Sequence, residues 1–178
     1  MKRLYILRHA QALSTPVGGS DFDRPLAPQG LEDAKALGRK MAKHDYKPDI
    51  CLYSPALRTT QTLENLELSC KSVSAVEDMY DANAQRLLDL INNSEDDYAS
   101  LLLVGHNPAI HELAMRLAGE ESAASPMQRM MQGYKPGSLS VFDCPCAVWN
   151  DVEYGGNILS DFLEPLDYNA PERPTRWM

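Results

Sequence analysis

The sequence predicts one α/β domain built in three layers, with a mostly parallel central sheet and helices on both of its faces. Two observations support this fold class. Short apolar runs of strand length alternate along the chain with amphipathic stretches of helical period. The runs are apolar throughout, which is typical of strands buried on both faces of a parallel sheet. The chain of 178 residues has the length of a single domain, so we expect one domain over residues 1–178.

The predicted strands follow from the apolar runs. They lie at residues 4–7, 50–53, 73–76 and 101–104, with a candidate strand pair late in the chain at residues 138–142 and 147–152. The run at 73–76 is the weakest of these. Prolines at positions 165, 171 and 174 indicate an extended tail from about residue 165.

The predicted helices follow from their start signals. Pro28 opens a periodic stretch that predicts the first helix. Ser54 and Asn107 each stand between a strand and a proline, so both are predicted as N-caps of the helices that follow. Asp81 is a candidate cap of a further helix. Residues 122–137 fit neither period clearly.

The composition narrows the possible partners and the compartment. The chain has 17 Lys and Arg against 25 Asp and Glu, a formal net charge of -8, so its field repels polyanions and we expect no nucleic-acid partner. No apolar run approaches the roughly 20 residues of a membrane span. The four cysteines lack the spacing of a disulfide framework or a zinc site. We therefore expect a cytoplasmic protein with no zinc site, no cofactor and no membrane partner.

Four cationic or potentially cationic side chains stand where predicted strands end. Arg8 and His9 end the first strand, Arg58 lies in the first turn of the helix after the second, and His106 lies between a later strand and its helix. In open α/β sheets, ligands bind outside the carboxyl ends of the strands, next to helix N-termini that favour anions. These residues are therefore predicted to form one phosphate-binding pocket.

The residue types in this pocket suit phosphoryl transfer. The neutral imidazole of His9 is a competent nucleophile, and a covalent intermediate divides one difficult displacement into two easier ones. The guanidinium groups of Arg8 and Arg58 present forks that match phosphate oxygens. His106 can donate a hydrogen bond to another oxygen and stabilise charge during transfer.

Three motifs resemble the signatures of the histidine phosphatase superfamily, in order and approximate spacing: LRHA at residues 7–10, SPALRTTQT at 54–62 and VGHNP at 104–108. The chain resembles the SixA-type phosphohistidine phosphatase branch of this superfamily more than the phosphoglycerate mutases. The features that carry this resemblance are its short length, DRPL at residues 23–26 and the residues of the third motif. The similarity covers roughly residues 1–119. The resemblance implies a phosphoglycerate mutase-like fold, no metal, and His9 as the residue phosphorylated in turnover.

The proton donor is the least defined part of this prediction. Many relatives carry a glutamate after the third strand, and here the corresponding residues, 76–82, offer Asp81 first and Glu77 second, with water as the remaining candidate. Asp81 is equally explained as a helix cap. Arg24, in the loop before the first helix, is either a substrate contact or a solvated charge.

These residues lead to an expected function with two alternatives. The imidazole that leaves a phosphohistidine is far less basic than an alkoxide and depends less on a placed acid. The leading expectation is a phosphohistidine phosphatase that acts on a phosphorylated protein, with Arg8, Arg58, His106 and Arg24 binding the substrate. The alternatives are a phosphatase for small phosphorylated esters that uses the same pocket, and a phosphate-binding module without catalysis.

Overall fold

A six-stranded sheet forms the centre of the protein in its computed structural model, which describes residues 1–15 and 17–169. The strands are β1 (Lys2–Arg8), β2 (Ile50–Tyr53), β3 (Ser72–Ala75), β4 (Ser100–Gly105), β5 (Leu139–Cys144) and β6 (Ile158–Leu163). Their order in the sheet is β3-β2-β4-β1-β5-β6. The strands from β3 to β1 are parallel, whereas β5 and β6 are antiparallel to their neighbours. The predicted mostly parallel sheet is confirmed.

Helices cover both faces of this sheet. They are α1 (Pro28–Lys43), α2 (Leu57–Leu66), α3 (Ala84–Asn92), α4 (Ala109–Leu117), α5 (Ala124–Gln132) and α6 (Pro165–Tyr168), with 3₁₀ turns at Glu77–Met79 and Trp149–Asp151. Successive residues of a strand point to opposite faces. In β1, Leu4 and Ile6 pack in the core formed with α3 and α4, while Tyr5 and Leu7 pack in the core formed with α1 and α2. The predicted three layers are confirmed.

The carboxyl ends of the parallel strands meet at one edge of the sheet. β1 pairs with β4 so that Arg8 lies opposite Gly105, and β2 pairs with β4 so that Tyr53 lies opposite Val104. The segments that follow β1, β2 and β4 therefore emerge side by side. This is the edge where open α/β sheets bind ligands.

The segment after β1 is fixed by close packing against α1. A Cβ on Gly30 would lie 2.1 Å from the carbonyl oxygen of Gln11, so only glycine allows the helix to come this near. The same carbonyl accepts a hydrogen bond from the Ala27 N–H at 2.9 Å. The backbone just beyond His9 is thus held against the start of α1.

The later part of the chain differs from the prediction. The partner of β5 is β6 rather than residues 147–152. The Trp149 side chain is buried in the core, and its backbone N–H donates to the Asp96 carboxylate at 2.7 Å instead of to a strand. The unassigned residues 122–137 contain α5. The predicted tail begins as a short helix, α6, with a capping box between Glu164 and Asp167. Its remainder, residues 170–178, lies outside the described residues.

The three predicted N-caps are wrong. α2 and α4 begin beyond Ser54 and Asn107, because both side chains are hydrogen-bonded within the site described below. α3 is capped by Asn83 rather than Asp81, since the Asn83 Oδ1 accepts from the Arg86 N–H at 2.8 Å. Across residues 1–15 and 17–169, no helix combines the length and apolar character needed to cross a bilayer.

Candidate active site

The parallel pairing of β1 with β4 brings two histidines together. The backbone N–H of His9 donates to the Gly105 carbonyl at 3.1 Å, which ties the residue after β1 to the end of β4. The ring centroids of His9 and His106 are consequently 5.3 Å apart. The register of the sheet therefore brings these two residues close together, as predicted.

The imidazole of His9 is oriented and neutral. Its Nδ1 lies 2.7 Å from the Ala10 carbonyl oxygen, and because a carbonyl only accepts, Nδ1 must carry the proton and Nε2 keeps its lone pair. His9 is 6% exposed, and this burial lowers its pKa to about 3, with further lowering by His106, Arg58 and Arg8. A neutral ring with a free Nε2 is the form that attacks phosphorus.

Arg58 is buried at the start of α2 and is held by the loop that precedes α1. Its Nη1 donates to the Asp21 carbonyl at 2.7 Å, and its Nη2 donates to the Asp21 Oδ2 at 3.0 Å. Thr62, one turn further along α2, accepts from the Ala10 N–H at 3.0 Å and donates to the Arg58 carbonyl at 2.7 Å. Thr62 therefore ties the backbone beside His9 to the backbone of Arg58.

Arg8 is anchored through a main-chain carbonyl near the end of α5. Its Nη1 donates to the Tyr134 carbonyl at 2.9 Å, and the Asn107 side-chain amide donates to the same oxygen at 3.0 Å. Burial, together with the positive charge of Arg24, lowers the pKa of Arg8. A buried guanidinium beside a like charge is stabilised when an anion binds to it.

His106 is supported by a fully buried serine. Its Nε2 lies 2.8 Å from the Ser54 Oγ, and its Nδ1 is buried without a partner among the described residues. Burial, followed by the charge of Arg58, lowers the pKa of His106 to about 4, so the ring is neutral near pH 7. When the Ser54 hydroxyl donates to Nε2, the Nδ1–H remains free to donate to an oxyanion.

Buried donors without protein partners cluster in this region. Within the described ranges they include the Nε atoms of Arg8, Arg24 and Arg58, in addition to His106 Nδ1. Arg24 joins the cluster through Asp21, whose Oδ1 lies 3.4 Å from its Nη2. Buried polar groups are normally satisfied, and guanidinium donors match phosphate oxygens. The arrangement thus suits a bound oxyanion, and it brings all of the predicted cationic residues to one place.

The two carboxylates predicted as proton donors lie further out. Asp81 is exposed and lines a cavity of about 250 Å³ together with His106. Glu77 is also exposed and lines a neighbouring groove of about 520 Å³ with Phe22 and Tyr80. In the part of the chain that the structure describes, neither carboxylate is hydrogen-bonded to an arginine or histidine of the site. The assignment of the proton donor stays a prediction.

Sequence reasoning missed the residues that support the pocket. Asp21 accepts from the Tyr80 hydroxyl at 2.7 Å, and the Tyr80 ring stacks edge-on against His106 with centroids 5.7 Å apart. Thr62 was predicted only as part of the second motif, and Ser54 was predicted as a helix cap rather than as the partner of His106. Spacing gave a signal for Thr62, because it follows Arg58 by four residues on a helix. Nothing in the sequence signals that Asp21 folds back onto the start of α2.

The described residues contain no group of three or more His, Cys, Asp or Glu side chains placed to hold a metal ion. Fold and site together define an α/β protein whose pocket places arginine and imidazole nitrogens where they suit an oxyanion.

Comparisons with known proteins agree with this class. The profile of the histidine phosphatase superfamily (branch 1) matches residues 4–78. An uncharacterized protein of Mycobacterium tuberculosis (strain ATCC 25618 / H37Rv) is 32% identical over 160 residues, which cover 89% of this chain and 99% of that protein. A provisionally assigned SixA phosphohistidine phosphatase from Nakamurella multipartitia superposes with a TM-score of 0.82 at 26% identity, over 93% of this chain and 96% of that one.

The fold comparison extends to the mutases. A phosphoglycerate mutase from Plasmodium falciparum shares the fold with a TM-score of 0.59 at 12% identity, over 99% of this chain and 98% of that one. The chain belongs to the histidine phosphatase superfamily, and within it to the SixA-type branch. These findings support an enzyme with histidine phosphatase activity.

Proposed function

We propose that the protein is a phosphohistidine phosphatase, in which His9 takes a phosphoryl group from a phosphorylated protein and water then releases it. The observation that carries the proposal is the state of His9. Its Nδ1 is held by the Ala10 carbonyl, its Nε2 makes no hydrogen bond within the part of the chain that the structure describes, and its ring is neutral. Nitrogens of Arg8, Arg58 and His106 that have no hydrogen-bond partner among the described residues supply donors for the phosphoryl oxygens.

The first step balances without any proton transfer when the donor is phosphohistidine. The Nε2 lone pair of His9 forms the new P–N bond while the P–N bond of the donor breaks. The bonding pair stays on the donor nitrogen, and the proton already on the other donor ring nitrogen remains there. A neutral imidazole leaves, so the step requires no general acid.

The second step returns His9 to its starting state. A water oxygen forms a bond to phosphorus, the P–Nε2 bond breaks, and its electron pair returns to His9. The product leaves as dihydrogen phosphate, which carries both protons of the water and loses one to solvent. During both steps, the guanidinium groups of Arg8 and Arg58 and the Nδ1–H of His106 stabilise charge on the phosphoryl oxygens.

The surroundings of the site favour a nitrogen leaving group over an alkoxide. An alkoxide must be protonated as it leaves. The carboxylate in contact with the site arginines belongs to Asp21, and the hydrogen bond from Tyr80, together with Arg58 and Arg24, lowers the pKa of that carboxyl. Asp21 is therefore ionised near pH 7 and has no proton to give.

The test uses a peptide carrying ³²P-labelled phosphohistidine. We expect wild type to release orthophosphate and to carry an acid-labile label that chases, also in excess chelator, because both steps use only side chains and water. H9A should retain no label, while H44A, a change at an exposed histidine at the end of α1, should behave as wild type. Undiminished label in H9A excludes His9 as the nucleophile. Tight phosphopeptide binding without any turnover favours a binding module instead.

A small-ester phosphatase remains the second candidate, because Asp81 lines the same cavity as His106. If Asp81 protonates an alkoxide from there, D81N should lower turnover of a small alkyl phosphate and leave turnover of the phosphohistidine peptide unchanged. Equal turnover of both substrates by D81N and wild type removes Asp81 from the mechanism.

A further inference from the structure

Asp21 carries a carboxylate that touches three side chains at the candidate active site. Its Oδ2 accepts from Arg58 Nη2 at 3.0 Å and from the Tyr80 hydroxyl at 2.7 Å, and its Oδ1 lies 3.4 Å from Arg24 Nη2. Its carbonyl accepts from Arg58 Nη1 at 2.7 Å. Asp23, in the same loop, is exposed and makes no side-chain hydrogen bond to the described residues.

These bonds divide the Arg58 guanidinium into two edges. Asp21 takes Nη1 and Nη2, whereas Nε is buried without a partner among residues 1–15 and 17–169. A phosphoryl oxygen bound at Nε therefore lies roughly 5 Å from the carboxylate, the separation of acceptors on adjacent guanidinium edges. Substrate and Asp21 can contact Arg58 at the same time.

The exposure of the two groups places Asp21 on the leaving-group side. His9 is 6% exposed at the base of the pocket, whereas the Asp21 side chain is 50% exposed. In phosphoryl transfer, the leaving group departs in line with and opposite to the nucleophile. We therefore expect a group displaced by the buried His9 to leave on the solvent side of the site, the side to which the half-exposed Asp21 carboxylate belongs.

We infer that Asp21 determines which phosphoryl donors the site accepts, favouring a leaving group that carries positive charge and disfavouring a donor with a second anion beside the phosphoryl group. The inference rests on the proposed function. In the first step, the phosphohistidine ring of the donor holds a proton and a positive charge until its P–N bond breaks and the bonding pair neutralises it. The Asp21 carboxylate, about 5 Å from the bound phosphoryl oxygen, stabilises that protonated donor by its negative charge and repels a carboxylate beside the phosphoryl group.

The experiment compares D21N with D23N, which removes the same charge from the same loop. Asparagine keeps an oxygen that can accept from Tyr80 and Arg58 but loses the charge. The substrates are a phosphohistidine peptide, 4-nitrophenyl phosphate, and phosphoglycolate, which has a carboxylate next to its phosphoryl group. For D21N, we expect kcat/KM to fall about tenfold for the peptide and to rise about tenfold for phosphoglycolate. For the nitrophenyl ester, whose leaving phenolate gains negative charge without carrying a carboxylate, we expect a rise of less than about tenfold. D23N should change none of the three by more than about twofold.

Two results would overturn the inference. An equal loss with all three substrates in D21N means that Asp21 only positions Arg58, and unchanged kinetics mean that its charge does not reach the substrate. The proposed function fails separately, if wild type hydrolyses the esters but not the phosphohistidine peptide. The comparison of the two esters still tests Asp21 in that case. Thermal melts of both variants establish that the folded state is compared throughout.

Discussion

The ionisation of His9 offers a direct test of the electrostatics of the site. Burial lowers the pKa of His9 to about 3 from an ordinary 6.5, and the neighbouring cations act in the same direction. At pH 5, an ordinary imidazole is neutral in only about 3% of molecules, whereas one with a pKa near 3 is neutral in about 99%. The supply of nucleophile at pH 5 therefore differs about thirtyfold between the two cases.

Long-range ¹H–¹⁵N NMR of the free protein measures this quantity. We expect the His9 ring to stay in its Nδ1–H form from pH 8 down to pH 5, because the Ala10 carbonyl holds that proton. The spectrum of H9N assigns the resonance, and the urea-unfolded protein gives the reference titration. A His9 ring that protonates between pH 6 and 7, or that carries its proton on Nε2, would refute this account of the nucleophile.

The same shifts predict how stability depends on pH. The folded-state pKa values of His9 and His106 lie below their unfolded values, so the unfolded chain binds more protons between about pH 3 and pH 6.5. Their contribution makes the free energy of unfolding rise with pH across that window and level off above it. For His9, the change is about 5 kcal/mol. Urea denaturation of H9N should show a shallower rise, and an equal slope in both proteins would contradict the shift.

Three substitutions test the supports of the pocket. T62V leaves the Ala10 N–H unpaired and should lower the free energy of unfolding by about 1–3 kcal/mol in urea; a loss under about 0.5 kcal/mol would contradict the bridging role. R58K should lower kcat/KM about a hundredfold with little change in Tm, because an ammonium cannot replace the fork, and a loss under about threefold argues against it. S54A removes the hydroxyl at His106 Nε2 and should mix the ring tautomers in ¹⁵N spectra while lowering kcat about tenfold. Unchanged spectra would assign Ser54 to packing alone.

Different parts of the structure were predictable for different physical reasons. The central strands could be found because burial on both faces leaves continuous apolar runs, as at residues 4–7 within β1 and 101–104 within β4. His9 and His106 could be placed together because parallel strands end at one edge. The predicted N-caps were wrong because a polar residue before a proline does not always cap the helix that follows. Its side chain can instead bond to another residue, as Ser54 does with His106. The contact of Asp21 with Arg58 depends on how a loop folds over α2, which no local pattern records.

Main-chain carbonyls that hold the pocket side chains could not be predicted from the sequence, and they also affect the charge of the site. Three of the pocket side chains are held by main-chain carbonyls, namely His9 by residue 10, Arg58 by Asp21 and Arg8 by Tyr134. A carbonyl belongs to every residue type, so the sequence does not mark it. It is also uncharged and does not titrate, so it orients a cation without neutralising it. A chain with a formal charge of -8 can thereby keep a local cluster of positive charge at the site. The Asp21 carboxylate then supplies a negative charge on the side where we infer that the leaving group departs.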